Sequence, residues 1–129
     1  MTTAAVVVAA GVIERDGRFL VTRRLKGTHL EGLWEFPGGK CAPGETIAAC
    51  LERELREELG VESSVQAEIL VSEHAYQERT VRLHFLACTI AGDPHPVLGQ
   101  EIRWVSRDEL RTLDLPAADA ELVRMLTER

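Results

Sequence analysis

The stretch Gly38-Gly39-Lys40-Cys41-Ala42-Pro43-Gly44-Glu45-Thr46, running on to Arg53-Glu54-Leu55-Arg56-Glu57-Glu58-Leu59-Gly60-Val61, decides how the rest of the chain reads. Its second half has helical spacing. Leu51, Leu55 and Leu59 recur every fourth residue, with Ala48 on the same side, and form a core-facing stripe. At about 100° per residue, Glu54, Glu57 and Glu58 fall in a neighbouring arc. Like charges at such spacings weaken a bare helix by roughly 0.2–0.5 kcal/mol per pair. Arg53 and Arg56 are expected to project toward other faces and to leave the acids short of counter-charge. A hard divalent cation suits that arrangement. Mg²⁺ takes oxygen ligands in octahedral geometry and bridges carboxylates to phosphates. The spacing alone also suits an ordinary solvated acidic helix, and the loop in front decides between the two.

That loop and helix together resemble the signature of the Nudix hydrolases: Gly, five residues, Glu, seven residues, then Arg-Glu-apolar-any-Glu-Glu-any-Gly-apolar. Gly39, Glu45, Arg53, Glu54, Leu55, Glu57, Glu58, Gly60 and Val61 occupy every fixed position. Such a match is far more specific than a lone Gly-rich loop.

The 129 residues suit a single domain, 1–129, with room for a real core. A hydrophobic fraction of 45% and a charged fraction of 28% are ordinary for a soluble protein. The net charge of −6 argues against a nucleic-acid polymer as partner, which calls for a basic face. A small nucleotide remains compatible, because bound metal ions invert the local charge. Three cysteines, Cys41, Cys50 and Cys88, form no C-x-x-C pair, so reduced thiols and a cytoplasmic setting are expected. Cys50 and Cys88 read as small buried apolar residues. Met1 to Ala10 lacks a charged leading segment and reads as a strand, not a signal peptide. No run approaches the ~18 apolar residues of a membrane span.

Residues 4–13 are small, β-branched and uncharged, as in a central buried strand. Asp16-Gly17 makes a hairpin turn into a strand over 18–24. A polar loop, 26–33, leads to Leu33-Trp34-Glu35-Phe36, a short strand stopped by Pro37-Gly38-Gly39. After the acidic helix, Gly60 reads as a left-handed cap. Strands over 65–77 and 80–90 follow, joined at Gln77-Glu78-Arg79. Residues 92–96 form a loop, and 102–105 a last strand. Ser106 caps a short helix, and a final helix is predicted over 117–126. This order suggests a mixed sheet between helices, in agreement with the α/β/α sandwich that the resemblance implies.

Nudix hydrolases cleave nucleoside diphosphates linked to another group, using Mg²⁺ or Mn²⁺. By resemblance, Glu57 and Glu58 are the principal metal ligands, and Glu54 is a further ligand or the base for the attacking water. The Gly38 carbonyl is another ligand, where glycine permits close approach. Glu45 and Arg53 position this face; the alternative for Arg53 is a plain surface residue.

Arg23-Arg24, Trp34-Glu35-Phe36-Pro37-Gly38-Gly39 and Leu115-Pro116-Ala117-Ala118-Asp119 extend the resemblance to the MutT-like branch. That branch converts nucleoside triphosphates to the monophosphate and pyrophosphate, and many members clear 8-oxo-dGTP. Carried over by position, Arg24 contacts phosphate and Phe36 lines the base pocket. His29 and Arg79 lie on loops near the nucleotide, or are exposed loop residues with no role. Asp119 stands where the founding enzyme type has an amide, and related CTP pyrophosphohydrolases also have Asp in a Pro-x-x-Asp setting. An ionised Asp119 only accepts hydrogen bonds, whereas a protonated one imitates the amide; it also suits a helix N-cap. The family's further loop acid falls at Leu98 here, with Glu101 as a nearby substitute or merely an exposed acid.

The resemblance thus implies an Mg²⁺-dependent pyrophosphohydrolase for oxidised or modified nucleotides such as 8-oxo-dGTP, or for CTP and dCTP. It would be a monomer or weak homodimer with no membrane partner. A nucleotide-sugar or ADP-ribose pyrophosphatase is the nearest alternative. A non-catalytic nucleotide-sensing module is disfavoured by the complete acid set.

Overall fold

A computed structural model describes residues 5–128 of the chain. Strand β1 (Val6–Arg15) is the axis of the sheet. It runs parallel to β6 (Thr80–Ile90), from Val6 opposite Val81 to Ile13 opposite Cys88. On its other edge it pairs antiparallel with the short β4 (Gly38–Lys40), with Ala10 opposite Gly38. Its far end turns through Asp16-Gly17 onto β2 (Arg18–Arg23). Both turn residues have positive φ, 53° and 75°, the primed geometry that matches strand twist.

Strand β2 then carries β3 (Trp34–Glu35) and β7 (Ile102–Val105). Strand β5 (Ser63–Ala75) adds to the outer edge of β6. The order is β3-β2-β1-β6-β5, with β4 on β1 and β7 on β2. One parallel pair among antiparallel ones makes the sheet mixed, as expected.

Period-two alternation sends neighbouring side chains to opposite faces. Ala9, Ile13, Leu20, Leu86 and Cys88 pack against helix α1 (Ile47–Leu59) through Leu51, Leu55 and Leu59. Ala10, Val12, Phe19, Val21, Leu83 and Phe85 face the other way. They meet Leu110 of α2 (Arg107–Leu110) and Leu122 of α3 (Ala120–Thr127). Helices on both faces complete the sandwich that the element order suggested.

Several boundaries differ from expectation. Strand β1 begins at Val6 and continues to Arg15; Ala4, like Met1 to Thr3, lies outside the described residues. Strand β5 ends at Ala75 because Tyr76 and Arg79 close the turn with mutual backbone hydrogen bonds. The final helix starts as a single 3-10 turn, Ala117–Asp119, before α3. On α1, Cys50 takes the fully buried place and Ala48 is only half-buried.

The thiols need a larger correction. Cys41 and Cys50 form a disulfide with their Cα atoms 5.2 Å apart, and only Cys88 is free. Spacing in the chain hid the pair, because the packing of β4 against α1 brings the two together. No helix among the described residues is long and apolar enough to cross a membrane.

Leu55 has no exposed surface. Replacing it with alanine should cost about 2–5 kcal/mol in urea denaturation. A loss below about 1 kcal/mol would mean that α1 does not cover this face of the sheet.

Candidate active site

Helix α1 is held at both ends. The Thr46 hydroxyl accepts from the Ala49 N–H at 3.1 Å, and Gly60 closes the other end at φ 65°. These caps fix the phase of the acidic face relative to the loop before it.

Arg53 is the centre of that face, and its position corrects the sequence reading. Its Nε and NH2 groups donate to the Glu45 carboxylate at 2.7 and 2.9 Å. Its NH1 group donates to Glu54 at 2.9 Å and Glu57 at 3.1 Å, and NH2 also reaches the Lys40 carbonyl at 3.0 Å. The long side chain folds back across the acids that it was expected to leave. Arg56 does turn away, toward Glu62. The Arg53 guanidinium and the Ala42 N–H hold the Glu45 carboxyl down at a pKa of about 2.

Glu58 has no such partner. Burial, followed by the charges of Glu54 and Glu35, pushes its carboxyl up to about 8; Arg24 opposes the shift. A partly buried carboxyl among like charges gains most from a cation brought to it.

The Gly38–Gly39 backbone closes over the same place. A Cβ on Gly38 would strike the Ala9 carbonyl, and one on Gly39 would overlap the Glu54 carboxylate. Among the described residues, no three acidic, imidazole or thiol side chains converge as a ready ion cage. The donor set nonetheless fits a hard divalent ion: carboxylates beside a close-packed glycine backbone, two of them free to exchange Arg53 for the ion.

Beside this face opens a cleft of about 140 Å³. Arg24, His29, Phe36, Gly38, Arg79 and Asp119 all line it, so these predicted residues come together. Phe36 is buried and meets Phe85 edge to face at 6.0 Å. Arg24 donates to the His29 carbonyl at 2.5 Å and to Glu35 at 3.1 Å. His29 packs edge-on against Tyr76 at 5.0 Å.

Asp119 closes the apolar end. It is 3% exposed and makes no capping hydrogen bond to α3. Burial first, then the Glu35 charge, pushes its carboxyl up to about 7.

Glu101 is not brought to the acidic face. Its carboxylate accepts from Arg23 at 2.9 Å and borders a separate depression. Leu98, in contrast, shares a hollow with Glu58 and Glu35. The buried Gln100 sets that loop by donating to the Glu58 carbonyl and accepting from the Leu98 N–H, both at 2.9 Å. Sequence reasoning missed Glu35, Tyr76 and Gln100. Glu35 had a signal, a charge placed between Trp34 and Phe36 in a short apolar strand.

Comparison with known proteins places this geometry. A family model described as the NUDIX domain matches residues 8–125. The chain is 36% identical to the CTP pyrophosphohydrolase of Escherichia coli, over 90% of this chain and 87% of that one. It is 37% identical to the 8-oxo-dGTP diphosphatase of Haemophilus influenzae, over 94% and 91%. A solution structure of a Nudix-family MutT protein from Staphylococcus aureus superposes with a TM-score of 0.80. That protein shares 31% identity, and 98% of each chain is covered.

Asp119 supplies a test of the cleft. Its folded pKa lies above its unfolded value, so the protonated carboxyl's contribution is complete below about pH 4 and is lost as pH rises through about 7. Asp119→Asn lacks that slope. The Tm of the variant minus that of wild type should therefore climb between pH 4 and 7, measured by thermal melts. A flat difference would place Asp119 in water.

Proposed function

The chain belongs to the NUDIX family, and from that premise we propose that it hydrolyses nucleoside triphosphates to the monophosphate and pyrophosphate. The observation that carries this reading is the adjacency of two environments. Arg24 and Glu35 border both the hollow containing Glu58 and the apolar cleft that ends at Asp119. A polyphosphate fits the charged end and a base the apolar one. The chain's likeness to a CTP pyrophosphohydrolase and to an 8-oxo-dGTP diphosphatase supports the same substrate class.

In this reading Glu57, Glu58 and the Gly38 carbonyl hold a divalent cation, Mg²⁺ or Mn²⁺. When bound, the ion neutralises charge on the non-bridging phosphate oxygens and lowers the barrier to attack. Glu54 joins the ligands or takes a proton from the attacking water. Glu45 and Arg53 hold the helix face against the loop. Arg24 leaves Glu35 to donate to phosphate, and Arg79 adds charge at the mouth.

Phe36 offers a ring to the base, and His29 with Tyr76 forms the wall opposite. Asp119 meets the base edge. Protonated, it donates to a purine or pyrimidine acceptor; ionised, it takes an exocyclic amine. The net charge of −6 supports a free nucleotide over a polymer.

The decisive experiment incubates the protein and Mg²⁺ with dNTPs, 8-oxo-dGTP, CTP, 5-methyl-dCTP and ADP-ribose, and identifies the products. Pyrophosphate is the expected product from a triphosphate; turnover of ADP-ribose alone would overturn the reading. Glu57→Gln should lower turnover by about 10²-fold or more with unchanged circular dichroism. Wild-type rates in that variant would remove Glu57 from the metal site. Asp119→Asn should change the ranking among bases more than the rate on any one. An unaltered ranking would take Asp119 out of base recognition.

A further inference from the structure

The Cys41–Cys50 bridge joins two pieces of the site that the preceding reading treats separately. Cys41 directly follows β4, whose Gly39 brings backbone against the Glu54 carboxylate while Gly38 lies against the β1 backbone at Ala9. Cys50 lies one turn before Glu54 on α1, and its sulfur sits 3.7 Å from the Gly39 carbonyl. The bridge is therefore a covalent tie between the glycine loop and the acid-bearing helix.

The two cysteines of the bridge differ in exposure. Cys41 is half-buried, whereas Cys50 has no exposed surface. The remaining thiol, Cys88, is buried and its pKa is pushed up to about 11, which leaves it inert.

We propose that Cys41–Cys50 is a thiol-exchange site whose redox state sets how firmly the metal-binding face is assembled, an inference that rests on the hydrolase reading above. The reductant is a small thiol or a dithiol protein. Its thiolate attacks the sulfur of the more exposed Cys41, the Cys41–Cys50 bond breaks, and Cys50 leaves as a thiolate that takes up a proton. A second thiolate attacks the reductant's sulfur in the mixed disulfide and expels Cys41 as a thiolate, which is also protonated. The net change is one protein disulfide and two thiols converted into two protein thiols and one reductant disulfide.

After reduction, the hydrogen bonds that still tie the segment from Ala42 to Thr46 to α1 are the Arg53–Glu45 contacts, the Thr46 cap and the Cys50 N–H donated to the Thr46 carbonyl. Arg53 is also the group that must release Glu54 and Glu57 for a cation to bind. In the oxidised protein the loop stays in place during that exchange. In the reduced protein, loop order and cation binding compete for the same carboxylates.

The test uses the whole chain, oxidised with diamide or reduced with dithiothreitol and then freed of reagent. Thiol titration after denaturation should find one thiol per chain in the oxidised form, Cys88, and three in the reduced form. Mn²⁺ binding, followed by electron paramagnetic resonance without substrate, should weaken by about tenfold on reduction. Cys41→Ser/Cys50→Ser should bind Mn²⁺ like the reduced form and ignore both reagents; Cys41→Ala serves if the double variant does not fold. Three thiols after diamide, or Mn²⁺ affinities in the two states within about twofold, would overturn the proposal. Failure of the hydrolase reading would look different, as absent turnover with thiol counts and Mn²⁺ affinities responding as stated.

Discussion

One guanidinium organises the charged half of this molecule. Arg53 reaches Glu45 in the loop, Glu54 and Glu57 on its own helix, and the Lys40 carbonyl at the end of β4. Without it, the Glu45, Glu54 and Glu57 carboxylates would have no counter-charge between them and would repel. With it, the loop is docked but the charge is not balanced. Among the described residues, Glu35, Glu45, Glu54, Glu57 and Glu58 share only Arg24 and Arg53 as contacting or facing cations. The deficit falls on Glu58, which has no hydrogen-bonded partner among the described residues and whose pKa rises to about 8. A structure that concentrates unbalanced negative charge at one partly buried carboxyl is poised for a cation, and the rest of the face follows from that.

The opposite end of the cleft obeys a different physics. Asp119 lies among Phe36, Phe85, Leu83 and Ala118, where water is scarce. Burying a carboxyl there costs free energy unless it is protonated or meets a partner. No side-chain hydrogen bond to α3 offsets the cost, so stability alone does not explain the residue. The proposed role in base recognition would explain it, because a site with a buried polar group rejects ligands that leave that group unpaired.

The legible parts of the fold were those set by local pattern. Leu51, Leu55 and Leu59 marked α1, Gly60 ended it, and Ser106 capped α2. Strand β7 was read to the residue. Of the candidate site, Arg24, His29, Phe36, Gly38, Arg79 and Asp119 line one cleft, as the signature and the flanking segments led one to expect. What escaped depended on tertiary reach. Arg53 folds over acids that helical geometry places beside it only when its long side chain is allowed to bend. Cys41 and Cys50 meet because β4 packs on α1. Of the two readings of Glu101, the exposed one matches its place, because Gln100, the buried residue before it, bonds Glu58 and Leu98 while Glu101 accepts from Arg23.

Glu35 links the two ends. Its carboxylate raises the pKa of Glu58 on the metal-facing side and of Asp119 in the apolar slot, while Arg24 bonds Glu35 and tempers Glu58. Burial pushes the Glu35 carboxyl up as well, and Arg24 pulls it back. These are Coulomb couplings across a poorly solvated space, where distance weakens them less than it would in water. The charged and apolar ends of the cleft are therefore one electrostatic unit. A group that draws Arg24 away from Glu35 raises the cost of ionising Asp119, and a cation beside Glu58 lowers it. In the proposed reading, proton occupancy at Asp119 is thus set partly by the charge brought to the Glu58 end of the cleft.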